Sequence, residues 1–215
     1  MSNFDPIALA IVLALLALLP TLVVVTTSFL KISVVMMLVR NALGVQQVPP
    51  NIALYGLALI LSAYVMAPVG MRIQEAVSHE PAAMRSIDGI FSAVRKGGEP
   101  MRGFLERNSS VEQREFFQRT ARKMWGPEMA ADVKANDFLI LMPAFLVTEL
   151  TSAFQIGFLL YLPFVVIDLI ISNILLAMGM MMVSPVTISL PLKLFLFVAV
   201  DGWTRMIHGL VLTYA

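Results

Sequence analysis

The chain alternates long apolar runs with one polar stretch. Residues 7–30 and 52–71 form runs of 24 and 20 positions without a charged side chain. A helix of about 20 apolar residues is long enough to cross the hydrocarbon core of a bilayer. We therefore predict that each run forms a membrane-spanning helix.

The segment between these runs, residues 31–51, has Lys31 and Arg40 as its only charges, and it is predicted to be a short connection. Pro49-Pro50-Asn51 at its end predicts the start of the next helix. Short connections that carry basic residues stay in the cytoplasm, which predicts an N-terminus on the opposite side. The first run lacks a preceding Lys or Arg and a small-residue cleavage pattern, so it is interpreted as a retained helix rather than a signal peptide.

Residues 72–137 have a different character, because they hold 11 basic and 10 acidic side chains. This stretch is predicted to be a water-facing helical insertion whose charges lie on solvated helix faces. Apolar residues at spacings of three and four predict a first helix that ends at Gly97-Gly98. These residues are Met84, Ile87, Phe91 and Val94. Ser109 followed by Glu112 resembles a capping box, which predicts a second amphipathic helix through Phe117, Ala121 and Trp125.

A third apolar block covers residues 138–182, where Glu149 and Asp168 are the only charges and Pro143 and Pro163 are predicted kinks. The block is too long for one straight span, so two crossings or a bent helical hairpin are expected. After the break SPVTISLP, residues 192–215 are predicted to form a final helix. The pattern thus divides the chain into residues 1–71, 72–137 and 138–215.

Composition places the chain in the membrane class. It is 59% hydrophobic and 13% charged, whereas a soluble domain has roughly 25% charged residues. The net charge of +1, without a run of basic residues, excludes nucleic acid as a partner. The absence of cysteine excludes disulfides and thiolate metal sites. No metal or cofactor is predicted.

Four of the fifteen methionines fall within five positions of LLAMGMMMVSP, residues 175–185. Met178, Met180, Met181 and Met182 surround Gly179. Methionine is unbranched and adaptable, so the cluster indicates a compliant surface, although a methionine stripe is more often core filling. Gly179 is expected to permit close backbone approach, and Ser184-Pro185 is expected to end the helix, which would place the cluster at a turn.

Charges at membrane depth require partners or a wet cavity. Asp168 and Lys193 have opposite sign, flank the methionine cluster and lie 25 positions apart. We predict a salt bridge, within or between protomers, that holds the methionine loop; snorkelling of Lys193 is the alternative. Glu149, Asp201 and Arg205 are predicted to be further buried charges. Glu149 is expected to form hydrogen bonds among helices, and Asp201 with Arg205 is expected to form an i, i+4 pair.

Long segments of the chain resemble the SctR/FliP family, core export-apparatus proteins of bacterial type III secretion systems. They are LVRNALGVQQVPPN (38–51), GLALILSAYVMAPVG (56–70) and residues 141–203. The lack of an N-terminal signal resembles the injectisome branch rather than the flagellar one. The resemblance implies an all-α integral membrane protein in which long bent helical hairpins assemble into a homopentameric ring with an extracytoplasmic helical insertion.

The resemblance also implies a function without catalysis. The chain would be a core subunit of the export gate, forming the wall of a channel through which unfolded polypeptides cross the inner membrane. Met178, Gly179 and Met180 to Met182 would form its gasket. Implied partners are subunits of the SctS, SctT, SctU and SctV types, together with membrane lipid. The implied location is the bacterial inner membrane, multi-pass, with the assembly projecting to the periplasmic side.

The residues leave two other classes of function open. A transporter could use Glu149 and Asp168 as proton-relay carboxylates, or the methionines as soft ligands for Cu(I). The copper version lacks cysteine, and His79 and His208 lie far apart in the sequence. An enzyme is disfavoured because His208 has no recognisable nucleophile or base as a partner.

Overall fold

A computed structural model describes residues 6–45, 47–78, 87–130 and 133–215. These residues form α-helices and no β-strand, which confirms the all-α prediction. The helices are α1 (Pro6–Thr26), α2 (Phe29–Ala42), α3 (Asn51–Ser78), α4 (Ile87–Arg107), α5 (Val111–Met124), α6 (Gly126–Ala130), α7 (Phe138–Ala177), α8 (Pro185–Ala199) and α9 (Gly202–Leu212). The chain divides into two compact units: the first comprises Met1–Leu30 and Ser62–Glu149, and the second Lys31–Leu61 and Leu150–Ala215.

In the first unit, α1 ends at Thr26, four residues before the end of the predicted span. The hydroxyls of Thr26 and Thr27 donate to the carbonyls of Leu22 and Val23, four residues earlier in the helix. Ser62 donates to Thr27 Oγ1 across 3.0 Å. Hydroxyls that bond to nearby backbone compete with helical pairing, which accounts for the early end.

The predicted end of α4 at Gly97-Gly98 is wrong, since the helix continues to Arg107. A side-chain carbon added at Gly97 would lie 3.4 Å from Val77, and one added at Gly98 would lie 3.4 Å from Phe138. The two glycines therefore serve close packing against α3 and α7 rather than termination. Of the apolar stripe predicted for this helix, Met84 and the side chains of residues 87, 91 and 94 lie outside the described residues.

The second helix of the insertion is confirmed, but its cap lies one residue later than predicted. Ser110 is the N-cap of α5, and its hydroxyl accepts the backbone N–H of Gln113. Ser109 is instead buried, and its hydroxyl donates to the Glu106 carbonyl. The helix ends at Met124 with Trp125 as its C-cap, close to the predicted Gly126 boundary.

In the second unit, the predicted connection of residues 31–51 is largely wrong, because its first part forms helix α2. Ile32, Val35, Met36 and Val39 are each at most 1% exposed. Their spacing is that of a single helix face, a periodic signal that an uncharged run does not show. Arg40 donates to the Pro49 carbonyl and to Asn51 Oδ1. These bonds close the short link to α3, which begins at Asn51 as predicted.

The third apolar block forms neither two crossings nor a hairpin within residues 138–182. α7 is one helix of 40 residues that continues through Pro143 and Pro163. The turn of the hairpin comes only after Ala177, so the partner of α7 is the next helix in sequence. At about 20 residues per crossing, α7 has roughly twice the length that one perpendicular span requires.

The single final helix predicted for residues 192–215 is also wrong. α8 and α9 are bent by 60° relative to each other. Asp201, between them, has a left-handed backbone with φ of 54°. The ring of Phe197 packs against Trp203 with 5.4 Å between ring centroids. A carbon added at Gly202 would lie 2.3 Å from the same ring, so the bend needs a glycine at that position.

Membrane-crossing capacity follows from length and composition. Among the described residues, α3 and α7 are long and apolar enough to cross a membrane. The total rises to four candidate spans if the bent pairs Pro20–Thr26 with α2, and α8 with α9, each count as one. The chain therefore fits a multi-pass membrane protein.

Candidate functional site: the methionine loop and its buried lysine

The methionine loop, residues 178–184, begins with a regular helix termination. The N–H of Met180 donates to the Leu175 carbonyl at 2.9 Å, and that of Gly179 to the Leu176 carbonyl at 3.0 Å. Gly179 has φ of +73°. This pair of bonds around a left-handed glycine is a Schellman motif, which satisfies the last carbonyls of a helix.

The roles predicted for the residues bordering the cluster need correction. Among the described residues, no atom beyond its two chain neighbours lies within 4 Å of a side-chain carbon added at Gly179. Within one copy of the chain, this glycine therefore serves backbone conformation and not close approach. Ser184 and Pro185 do not end α7. Ser184 is the N-cap position of α8, and Pro185 is its first residue, where the fixed proline φ suits a helix start.

The four methionines of the loop are solvent-exposed in the single chain. Their exposed fractions are 65% for Met178, 45% for Met180, 82% for Met181 and 101% for Met182. By contrast, Met36 in α2 is 0% exposed. The loop methionines are therefore not core filling within one copy of the chain. Burying them would take another molecule.

The helix that follows the loop contains a buried cation, Lys193 of α8, whose side chain is 3% exposed. Its ammonium donates to Asp168 Oδ2 at 2.6 Å and to the Ala42 carbonyl at 3.2 Å. The hydroxyl of Ser189 donates to the other carboxylate oxygen, Asp168 Oδ1. The structure thus brings together the two charges that the sequence paired, within a single chain.

Besides its ion pair with Asp168, Lys193 has a favourable electrostatic position at the C-terminal end of α2. Ala42 is the last residue of α2, where carbonyls lack helical partners and the helix dipole is negative. A cation there neutralises this partial charge while it pairs with Asp168. One ammonium therefore connects α2, α7 and α8 within the second unit.

Sequence reasoning missed two groups that bond to the Asp168–Lys193 pair, the Ser189 hydroxyl and the Ala42 carbonyl. Ser189 lies four residues before Lys193, on the same face of α8, and this spacing was an available signal. The Ala42 carbonyl gave no signal, because a backbone acceptor is not distinguished by residue type. Ser189 is 0% exposed, so its hydroxyl needs the partner it has.

The prediction also includes the charged residues Glu149, Asp201 and Arg205. Glu149 is 1% exposed and belongs to the first unit. Asp201 and Arg205 are exposed rather than buried, and they do not form the predicted ion pair. The Asp201 carboxylate accepts from the Thr204 hydroxyl at 3.0 Å, and the Arg205 backbone N–H donates to the Asp201 carbonyl. The left-handed backbone at Asp201, outside the regular helix, explains why the i, i+4 geometry fails.

Carboxylates and histidines are the side chains of the described ranges that could hold a metal ion. Within those ranges, no group of three or more His, Asp or Glu side chains is arranged to hold a metal ion. The described residues thus offer no carboxylate or imidazole cage around the methionine loop. Its chemistry is that of exposed thioethers backed by one buried ion pair.

Comparison with protein families matches residues 12–210 to the FliP family. The chain belongs to the FliP family. Yop proteins translocation protein R of Yersinia pestis is 54% identical over 210 residues, covering 98% of this chain and 97% of that protein. Harpin secretion protein HrcR of Erwinia amylovora is 48% identical over 212 residues, covering 99% and 98%. Virulence protein YscR of Salmonella typhimurium is 46% identical over 216 residues, covering 98% of each chain.

These similarities confirm the family predicted from the sequence, including its injectisome branch. The FliP family consists of structural components of type III secretion, which agrees with the prediction that the chain is not an enzyme. The transporter alternative gains no support, because the relatives are named for translocation, secretion and virulence.

Proposed function

We propose that the chain is a core subunit of the type III secretion export gate and forms the wall and methionine gasket of its channel. Unfolded polypeptides cross the inner membrane through this channel. Membership of the FliP family and the names of the relatives support the secretion role. The observation that carries the gasket is the loop of four exposed thioethers on a defined turn.

The proposed assembly is a homopentameric ring that joins subunits of the SctS and SctT types and contacts those of the SctU and SctV types. The ring lies in the inner membrane and projects to the periplasmic side. Residues 72–137 form its extracytoplasmic helical insertion, and residues 31–51 face the cytoplasm. Large apolar surfaces support assembly: Phe154, Phe158 and Leu159 of α7 are 58%, 64% and 65% exposed in the single chain.

The physical basis of the seal is the chemistry of the thioether. A narrow apolar ring excludes water and therefore blocks ions by dewetting. Methionine has three rotatable side-chain bonds and adapts to irregular shapes, so the same ring closes around polypeptides of any sequence. A more rigid apolar ring would seal the resting gate but would accommodate a moving chain less readily.

The proposed role of the Asp168–Lys193 pair is to hold the base of the loop. Asp168 lies in α7 before the loop and Lys193 in α8 after it. Their contact fixes the distance between the two helices that carry the loop, while the loop residues themselves remain free to move. A seal that closes repeatedly requires helices held at a fixed distance and loop side chains that can change conformation.

The decisive experiment measures ion conductance of the assembled gate in planar bilayers. Replacing Met178, Met180, Met181 and Met182 together with Gln should raise resting conductance, because an amide ring is wetted. Replacing the four with Leu should preserve the seal and slow secretion. The matched control is Met129→Gln in α6, whose side chain is 72% exposed but lies outside the loop.

Assembly of each variant is checked first by native mass spectrometry. If the fourfold Gln variant fails to assemble, the single change Met181→Gln provides the same comparison. Unchanged conductance in assembled Gln variants contradicts the gasket. Equal leakage from Met129→Gln contradicts it as well, since the effect would then be independent of position.

A further inference from the structure

The methionine loop has a chemical reactivity that the proposed seal does not use. The chain has fifteen methionines and no cysteine, so thioethers are the only sulfur groups that it offers to an oxidant. Four of these thioethers lie within residues 178–182, which makes the loop the densest group of oxidisable sulfur in the chain. Oxidation of a methionine gives the sulfoxide, which replaces a flexible apolar side chain with a polar, chiral one.

Exposure distinguishes the loop methionines from those of the core. Met181 and Met182 are 82% and 101% exposed in the single chain, whereas Met36 and Met206 are 0% and 7% exposed. In the proposed ring the loop side chains contact their copies, but the two rims of the ring still face water. Hydrogen peroxide is uncharged and little larger than water, so it reaches a thioether at such a rim without displacing the loop.

The loop offers few hydrogen-bond donors to the oxygen that oxidation adds. Of residues 178–184, only Ser184 has a side chain with a donor. Five backbone N–H groups of the loop already donate to carbonyls of the chain. A sulfoxide oxygen is a strong acceptor, and a polar group without a protein partner needs water instead. An oxidised loop therefore draws water into a ring that seals only while it is dry.

We propose that the loop methionines are a site of oxidative modification, a role that rests on the proposed gasket. Their conversion to sulfoxides turns the seal into a water-filled, ion-conducting pore. In each reaction the sulfur lone pair attacks one oxygen of hydrogen peroxide, so that an S–O bond forms and the O–O bond breaks. The departing hydroxide takes the proton of the new S–OH group, which leaves the sulfoxide and one water molecule. The thioether thereby loses two electrons, and the peroxide gains them.

The first measurement locates the oxidation. The assembled gate complex is treated with hydrogen peroxide, digested and analysed by peptide mass spectrometry, in which each sulfoxide adds about 16 Da, the mass of one oxygen atom. The loop methionines should be oxidised roughly tenfold faster than Met36 and Met206, because those two are buried within the single chain. Loop oxidation no faster than oxidation of Met36 would overturn the proposal.

The second measurement is resting ion conductance in planar bilayers, recorded for each gate before and after peroxide. Wild-type conductance should rise to that of the fourfold Gln variant, because both rings are wetted. The matched control replaces the four loop methionines with Leu, which has no sulfur, so its conductance should not change. That variant keeps Met71, Met124 and Met129, which are 64%, 75% and 72% exposed, so oxidation elsewhere in the chain still occurs.

A second control is available if the fourfold Leu variant fails to assemble. Met181→Leu combined with Met182→Leu removes the two most exposed loop thioethers. The increase in conductance that peroxide causes should then be smaller than in wild type. An increase as large as that of wild type would contradict the proposal.

Two outcomes of the conductance measurement overturn the proposal and leave the gasket intact. In one, the fully oxidised wild type keeps its resting conductance while the fourfold Gln variant leaks. In the other, peroxide raises the conductance of wild type and of the fourfold Leu variant equally, which assigns the leak to methionines outside the loop. Absence of a leak in both the Gln variant and the oxidised wild type overturns the gasket and this proposal with it.

Discussion

The ammonium of Lys193 lies 2.6 Å from Asp168 Oδ2, with 3% of the lysine side chain and 31% of the aspartate side chain exposed. Water therefore hardly reaches the lysine ammonium, which needs protein acceptors, whereas water still reaches part of the aspartate carboxylate. Removing the carboxylate leaves a buried ammonium with the Ala42 carbonyl as its remaining acceptor among the described residues. The pair is therefore costly to break even if its formation contributed little to stability.

We expect Asp168→Asn to destabilise the protein by about 3 kcal/mol, the lower end for loss of one partner of a buried pair, since Asp168 is partly hydrated. Secretion should fall with it. The double variant Asp168→Lys with Lys193→Asp should recover part of both. The measurements are thermal stability of the purified complex and secretion at matched protein levels.

Ser189→Ala is the graded control for that experiment. It removes one hydroxyl bond to Asp168 and leaves the ion pair, so a loss of about 1 kcal/mol is expected. A cost for Ser189→Ala as large as that for Asp168→Asn would show that local packing, and not the charge pair, stabilises this region.

Close packing of α2 on α7 is tested at Gly157. A carbon added there would lie 2.3 Å from Leu38 Cδ1, so Gly157→Ala should destabilise the protein by about 1–3 kcal/mol through overpacking. Adding Leu38→Ala should relieve the clash. Gly209→Ala is the control, because α9 has open space at that position and alanine favours a helix. Thermal stability distinguishes these variants, and an unaffected Gly157→Ala would contradict the packing.

Substitutions at Gly179 distinguish the strain of its left-handed backbone from a steric clash of the added side chain. In Gly179→Ala the added carbon meets no described residue within 4 Å other than its chain neighbours, so its cost of about 1–2 kcal/mol should come from the left-handed backbone alone. Gly179→Asn should cost less, because asparagine tolerates that conformation. Secretion rates of the two variants provide the measurement. Equal impairment would indicate that any side chain here obstructs the assembly.

The role of Ser110 as the N-cap of α5 can be tested by substitution. Ser110→Ala should cost about 1 kcal/mol, because it removes the acceptor of the Gln113 N–H. Ser110→Asp should restore most of it, since aspartate also caps helices. Thermal stability of the complex is the measurement. A full loss in Ser110→Asp would argue against a capping role.

The fold was predictable wherever one physical signal dominated. Uncharged runs of membrane length predicted the apolar parts of α1, α3 and α7, and Asn51 marked a helix start. The failures arose where tertiary contacts outweighed local propensity. Gly97-Gly98 stays helical because neighbouring side chains pack onto it, and α2 is a helix whose buried face is interrupted by Lys31 and Arg40.

The site was predictable to the extent that it depends on side chains. Opposite charges flanking a loop indicated the Asp168–Lys193 contact, and clustering indicated the methionines. The contact of Lys193 with the Ala42 carbonyl and the missing Asp201–Arg205 pair were not predictable. The first depends on where helix α2 ends, and the second on the bend of the backbone at Asp201. An i, i+4 spacing predicts a pair only if the helix is regular at both positions.

The central claim is that the loop methionines contact polypeptide in transit, and site-directed cross-linking tests it most directly. The chain has no cysteine, so Met181→Cys introduces a single thiol without further changes. A secreted substrate with one cysteine, stalled by a folded domain, supplies the other thiol. The account predicts a disulfide with the substrate at Met181→Cys and none at Met129→Cys. An absent disulfide at position 181 in assembled, substrate-loaded gates, or an equal yield at position 129, would contradict it.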